Sequence, residues 1–191
     1  MAEPASTRYV ALLRGINVGK ARQVAMPRLA ELLTSAGHGD VRTHRRSGNV
    51  LLTSALGEQE LAAALAGAIE AEFGFAVPVV LRTGADLAAV VEHDPLGGSA
   101  TDPSRYSVTF LPTAPDPTRV AALPPPEAGQ YAVHGRELYL WLPDGMARSP
   151  MATWPWDRLL GVAGTNRNWN TVRKLAELSA ADPASDRTPP G

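Results

Sequence analysis

The sequence predicts an α+β fold of two ferredoxin-like (split βαβ) subdomains with a C-terminal helical extension. Three observations predict it: a βαββαβ order of apolar patterns over the first eighty residues, a second βαββ order beginning near residue 105, and a helix-rich end. The recurrence is one of element order, since the two halves share no residue-level repeat.

The first strand is read at Arg8 to Leu13, a β-branched and apolar run stopped by Arg14-Gly15. Pro27 suits the first turn of a helix, and Met26, Leu29, Leu33 and Ala36 recur at helical spacing until Gly37. Val41 to Arg45 and Asn49 to Thr53 flank Ser47-Gly48 and read as a hairpin, with glycine supplying the positive φ of the turn. Glu58 opens a second helix whose row Leu61, Leu65, Ile69 and Phe73 is expected to be buried throughout. Gly74 closes that helix before the strand Val77 to Leu81.

Asp86 to Glu92 reads as a linking helix and is followed by turns at Asp94-Pro95, Gly97-Gly98 and Asp102-Pro103. Arg105 to Leu111 then alternates as a strand, and Asp116 to Leu123 is a short helix. Tyr131 to His134 and Glu137 to Leu142 form a second hairpin about Gly135. A helix through Trp156 to Leu160 follows, and a last one carries Trp169, Val172, Leu175, Ala176 and Ser179. The expected organisation is a tail over 1–7, a first subdomain over 8–82, a linker over 83–104, a second subdomain with C-terminal helices over 105–180, and a disordered tail over 181–191.

Composition narrows the function classes. Of the 191 residues 45% are apolar, enough for a core, while 18 Lys and Arg against 19 Asp and Glu leave a net charge of -1. No global basic field exists, so nucleic acid is not the expected partner and any anion site must be local. No stretch reaches the roughly 20 apolar residues of a membrane span, and the N-terminus lacks a basic start followed by an apolar run, so the cytoplasm is the expected compartment. With no cysteine, thiol chemistry and cysteine-ligated metals are excluded. His38, His44, His93 and His134 have no metal spacing and read as surface residues, so no metal and no cofactor are expected. No GxSxG elbow or recognisable carboxylate pair identifies a catalytic residue, and the enzyme question stays open. The strand aromatics Tyr106, Phe110, Tyr139 and Trp141 are expected in a core rather than under stacked bases, because cations do not cluster around them.

Three segments carry the binding chemistry. Arg14-Gly15-Ile16-Asn17-Val18-Gly19-Lys20 leaves a buried strand, and its glycines permit close backbone approach while Arg14 and Lys20 suit a phosphate or carboxylate. Its spacing is neither that of a P-loop nor of a GxGxxG fingerprint. Arg46 and Asn49 border the Ser47-Gly48 turn at the same expected sheet edge. Arg167-Asn168-Trp169-Asn170-Thr171 reads as a helix start, with Asn168 as N-cap and Arg167 beside open amides. The expected ligand set is Arg14, Asn17, Lys20, Arg46, Asn49, Arg167, Asn168 and Asn170, gathered around a small anionic ligand. The alternative is a non-catalytic protein- or nucleic-acid-interaction module, and for each motif an ordinary turn or helix cap is the competing reading.

YVALLRGINVG at 9 to 19, SGNVLLTS at 47 to 54 and RNWNTVRKLAEL at 167 to 178 together resemble the bacterial family of domain of unknown function 1697. FGFAVPVVLRT at 73 to 83 and GRELYLWLPDG at 135 to 145 also fit. The resemblance implies a pair of ferredoxin-like subdomains and supplies no substrate, reaction or cofactor. This chain departs from the pattern at Lys20, where a second glycine is usual, at Arg46, where Gln is common, and at Ser149-Pro150 in place of Ser-Lys.

Overall fold

A computed structural model describes residues 6–180. The first half runs β1 (Thr7–Leu13), α1 (Met26–Ser35), β2 (Gly39–His44), β3 (Asn49–Ser54), α2 (Glu58–Phe73) and β4 (Val79–Thr83). Its strands lie in the order β2-β3-β1-β4 with every neighbouring pair antiparallel. After α3 (Gly84–His93) come β5 (Tyr106–Phe110), α4 (Pro117–Ala121), β6 (Gln130–His134), β7 (Glu137–Trp141), α5 (Trp156–Leu160), β8 (Thr165–Asn168) and α6 (Trp169–Ala180). The second sheet repeats the order as β6-β7-β5-β8. Both are the second-third-first-fourth arrangement of a ferredoxin-like fold, which confirms the predicted class. Contacts divide the described chain into one unit running up to Leu87 and resuming at Leu175, and another over Ala88–Lys174.

The first unit follows from its apolar spacing. Tyr9, Ala11 and Leu13 of β1, Val50 and Leu52 of β3 and Leu81 of β4 share a cluster with Leu29 and Leu33 of α1 and Leu61, Leu65 and Ile69 of α2. Each fully buried leucine there contributes roughly 2 kcal/mol of transfer free energy. Residues of the opposite parity, Val10, Leu12, Leu51, Val80 and Arg82, are buried as well. That explains why β1 reads as a continuous apolar run. Gly74 ends α2 in the left-handed conformation at φ 78° and returns its N–H to the Glu70 carbonyl. Phe73 is only half-buried, packed against the rim of the cluster. It is the last residue of α2, so the row expected to be buried throughout opens to solvent at its end.

The outer strand β2 leaves regular register between Gly39 and Arg42, where Asp40 takes φ 46°. In the second unit Leu111, Leu138, Leu140 and Leu160 form a core backed by Val120, Tyr131, Val133 and Trp156. Tyr106, Phe110, Tyr139 and Trp141 are buried, as the composition argument anticipates.

One strand departs from expectation. Thr165-Asn166-Arg167-Asn168, read from sequence as loop and helix start, pairs antiparallel with β5 as β8, placing Arg167 opposite Val108 and Asn166 opposite Thr109. All four of its residues are polar, and Asn166 Nδ2 donates to Ser107 Oγ at 3.1 Å and to Thr109 Oγ1 at 3.0 Å. Hydrophobic periodicity has nothing to detect in such a strand. The tail expected over 181–191 and the first five residues of the tail expected over 1–7 lie outside the described residues.

Candidate functional site

The loop after β1 is held in shape by its own side chains. Gly15, Asn17, Gly19 and Arg22 have φ of 66°, 55°, 65° and 54°, so the chain reverses repeatedly. Glycine and asparagine tolerate that region at the least steric cost. Asn17 closes the loop. Its backbone N–H donates to the Arg22 carbonyl at 3.0 Å, its Oδ1 accepts from Val24 N at 2.8 Å, and its Nδ2 donates to the Val24 carbonyl at 3.0 Å. The Arg22 guanidinium lies over the Phe75 ring at 5.3 Å and donates to the Ala76 carbonyl.

The hairpin between β2 and β3 is bound to this loop. Asn17 Nδ2 also donates to the Arg46 carbonyl at 2.8 Å, and Leu13 N to the Gly48 carbonyl at 2.8 Å. Gly48 sits at φ 80° so close to the loop that a Cβ there would lie 2.8 Å from both Leu13 Cβ and Ile16 Cδ1. Asn49 pairs with Leu12 in the sheet and is completely buried. Its Nδ2 donates to the His44 carbonyl at 2.9 Å and to Ser47 Oγ at 3.0 Å, tying the turn together. The structure thus brings Asn17, Arg46 and Asn49 to one sheet edge. Arg14, half-buried, anchors its N–H on the Pro78 carbonyl at 3.0 Å, and Lys20 is exposed on the loop.

An open pocket of about 380 Å³ adjoins this edge, lined by Gln23, Val24, Ala25, Met26, Pro27 and Arg46. Its floor is the N-terminus of α1. Ala25 is the N-cap and offers no side-chain oxygen, Pro27 has no N–H, and no acidic residue stands in the first turn. The first intrahelical bond runs from Leu29 N to Ala25 O, so the amides of Met26 and Arg28 have no partner within the helix. Gln23 is fixed beside them by a bond from Nε2 to the Gly19 carbonyl at 2.8 Å. The helix dipole and the exposed Arg46 act in the same electrostatic sense there. The uncapped start of α1 was not singled out from sequence. Its signal was the absence of Ser, Thr, Asp or Asn before Met26.

The RNWNT segment belongs to the second unit. Arg167 is 6% exposed, and burial pushes its guanidinium down to about 10. Its Nη1 donates to Thr165 Oγ1 at 2.7 Å and to the Asn166 carbonyl at 2.8 Å. Asn168 Oδ1 accepts from Asn170 N at 3.0 Å, the capping role expected of it at the start of α6, and its Nδ2 donates to the Ser104 carbonyl at 2.9 Å. Asn170 is exposed. Trp169 is buried with its ring 4.6 Å from Tyr106. The exposed His93 and His134, read as unrelated surface residues, stack at 3.9 Å. Among the described residues no group of three or more His, Asp or Glu is placed to hold a metal, and no helix is long and apolar enough to cross a membrane.

No curated protein matches this sequence. Among solved structures, the chain is similar to the conserved bacterial protein SP0830 from Streptococcus pneumoniae, with a TM-score of 0.73 and 24% identity over 92% of this chain and 99% of that one. That likeness supports the fold. Residues 6–139 match the family described as "Protein of unknown function (DUF1697)", and with 134 of 191 positions inside the match the chain belongs to that family.

Proposed function

We propose that the first unit binds a small phosphate- or carboxylate-bearing ligand in the pocket at the N-terminus of α1. The observation that carries this reading is that Arg46 and the uncapped first turn of α1 line one cavity of about 380 Å³. An anion there meets a guanidinium, backbone N–H groups and the positive end of a helix dipole, and these act together. Gln23, with its Nε2 held by the Gly19 carbonyl, offers its Oε1 as an acceptor to a neighbouring donor group of the ligand. Lys20, on the rigid loop before Gln23, adds a second cation at the same edge.

Asn17 and Asn49 support the site rather than touch the ligand, since their carboxamides are spent on the loop and the hairpin. Two of the residues that depart from the family pattern, Lys20 and Arg46, are cations beside this pocket, so this chain takes a more negative ligand than a relative with Gly and Gln there. Arg14 enters as a background charge behind the loop.

Calorimetric titration with inorganic phosphate, citrate and adenosine monophosphate tests the reading. At least one should bind, and more weakly as salt rises. Arg46→Ala should weaken binding about tenfold, the value of one charge-assisted bond. Absence of binding by all three, or undiminished binding to Arg46→Ala, sinks the proposal.

A further inference from the structure

A second surface in the chain has the chemistry of a ligand platform. Trp154, Pro155, Trp156, Asp157 and Arg158 line an open pocket of about 340 Å³ on the second unit. The sequence places a helix through Trp156 to Leu160 and no ligand beside it.

The segment is rigid by construction. Pro150 opens a 3-10 turn over Pro150–Thr153, closed by Thr153 Oγ1 donating to the Pro150 carbonyl at 2.8 Å, and Met151 is fully buried beneath it. Trp154 follows at φ -61° and ψ 140°, its N–H on the Met151 carbonyl at 3.3 Å, and Pro155 fixes the next step. Trp156 donates from Nε1 to that same Met151 carbonyl at 2.9 Å. Trp156 and Tyr131 pack against the core and form a base for Trp154, whose ring lies 5.2 Å from Trp156 and 6.2 Å from Tyr131. A partly exposed indole held this firmly needs little ordering on binding.

What stands beside the ring decides the ligand class. Asp157 supplies a carboxylate, steadied by the Gly164 N–H on Oδ1 at 3.2 Å, and the exposed Arg158 supplies a fork of donors. A bare cation would be attracted by the indoles and Asp157 but repelled by Arg158, and a bare anion the reverse. A neutral ring with hydroxyls along its edge satisfies all of them. Its C–H face lies on Trp154, one hydroxyl donates to Asp157, and another accepts from Arg158.

We infer that the Trp154 platform is a carbohydrate-binding site, taking the flat C–H face of a pyranose with Asp157 and Arg158 reading its hydroxyls. It is separate from the anion pocket proposed above and does not depend on it.

Saturation-transfer NMR on the full chain tests this. The probes are glucose, galactose, mannose and N-acetylglucosamine with their linked trisaccharides, and adenosine and guanosine as a second arm. At least one sugar should bind, with transfer concentrated on ring C–H protons. Trp154→Ala should abolish the signal, Trp154→Phe should retain part of it, and Arg158→Ala should weaken binding about tenfold. Circular dichroism of each variant shows whether the fold is intact. Because Arg158 is exposed, Arg158→Ala keeps the test valid if Trp154→Ala unfolds. No response from any sugar, an unchanged response in Trp154→Phe and Arg158→Ala alike, or binding by nucleosides alone would overturn the assignment.

Discussion

The side chain of Asn17 donates to the backbone carbonyl of Arg46 at 2.8 Å, so the conformation of the first loop fixes where the hairpin arginine stands. With Val24 bonded to both ends of the same carboxamide, one residue joins the loop, the approach to α1 and the hairpin turn.

Asn17→Ala should therefore cost about 2–3 kcal/mol, since it removes three side-chain bonds and leaves a β-carbon at φ 55°. Asn17→Gly relieves the backbone but not the bonds, and should lose less. Urea denaturation of the two variants separates the contributions. Equal losses would mean the backbone conformation carries no cost.

Gly48 and Gly15 both have positive φ, yet differ in surroundings. A β-carbon at 48 would lie 2.8 Å from Leu13 and Ile16, whereas one at 15 would meet nothing within 4 Å. Gly15→Ala should cost about 1 kcal/mol for its φ, and Gly48→Ala about 3 kcal/mol or more for strain plus overpacking. Thermal melts of the pair read the difference directly; similar shifts in Tm would refute the close approach.

Along α2, Leu65→Ala should lose about 3 kcal/mol, because Leu65 is fully buried. Phe73→Ala, at the half-buried end of the same row, should lose about 1–2 kcal/mol, in proportion to the smaller area it hides. Chemical denaturation checks the order, and a larger loss at Phe73 would overturn it.

Two arginines should behave oppositely. Arg167→Ala empties a buried site and strips Thr165 and Asn166 of a donor, and should destabilise by about 3 kcal/mol. Arg46→Ala, at an exposed position, should change stability by less than about 0.5 kcal/mol while weakening the phosphate titration. Measuring melting and binding on the same samples distinguishes a structural cation from a ligand-binding one.

His38, partly buried just beyond α1, has its imidazole pushed below the ordinary value by desolvation. The unfolded chain therefore binds a proton more readily, so its contribution to stability is complete above the unfolded value of about 6.5 and declines as pH falls through that value toward the folded one. His38→Gln should flatten the fall in stability on acidification in that window. An unchanged pH profile from equilibrium unfolding would argue against it.

Much of this architecture was legible because its elements carry apolar periodicity: β1 as a continuous run, α2 as the row Leu61, Leu65 and Ile69. The adjacency of loop and hairpin followed from strand order alone, since the end of β1 must lie beside the start of β3 in a split βαβ unit. β8 was not legible, because Thr165 to Asn168 contains no apolar residue and so carries no hydrophobic period along its pairing with β5. The proposed anion pocket was half visible. Arg46 and Lys20 stood out, but the floor at Val24 to Pro27 shows only as a missing cap. Nor does any local pattern announce that His93 and His134 stack, since forty residues, β5 and α4 among them, intervene.

The irregularity in β2 bears on how the protein behaves when concentrated. β2 is the outer strand of its sheet, and a straight outer strand offers a row of open N–H and C=O groups to any passing chain. Between Gly39 and Arg42 that row is broken, and the exposed Asp40, turned to φ 46°, puts a charge where a new strand would have to lie flat. Growth of the sheet from one molecule into the next is opposed along this edge by geometry and charge together.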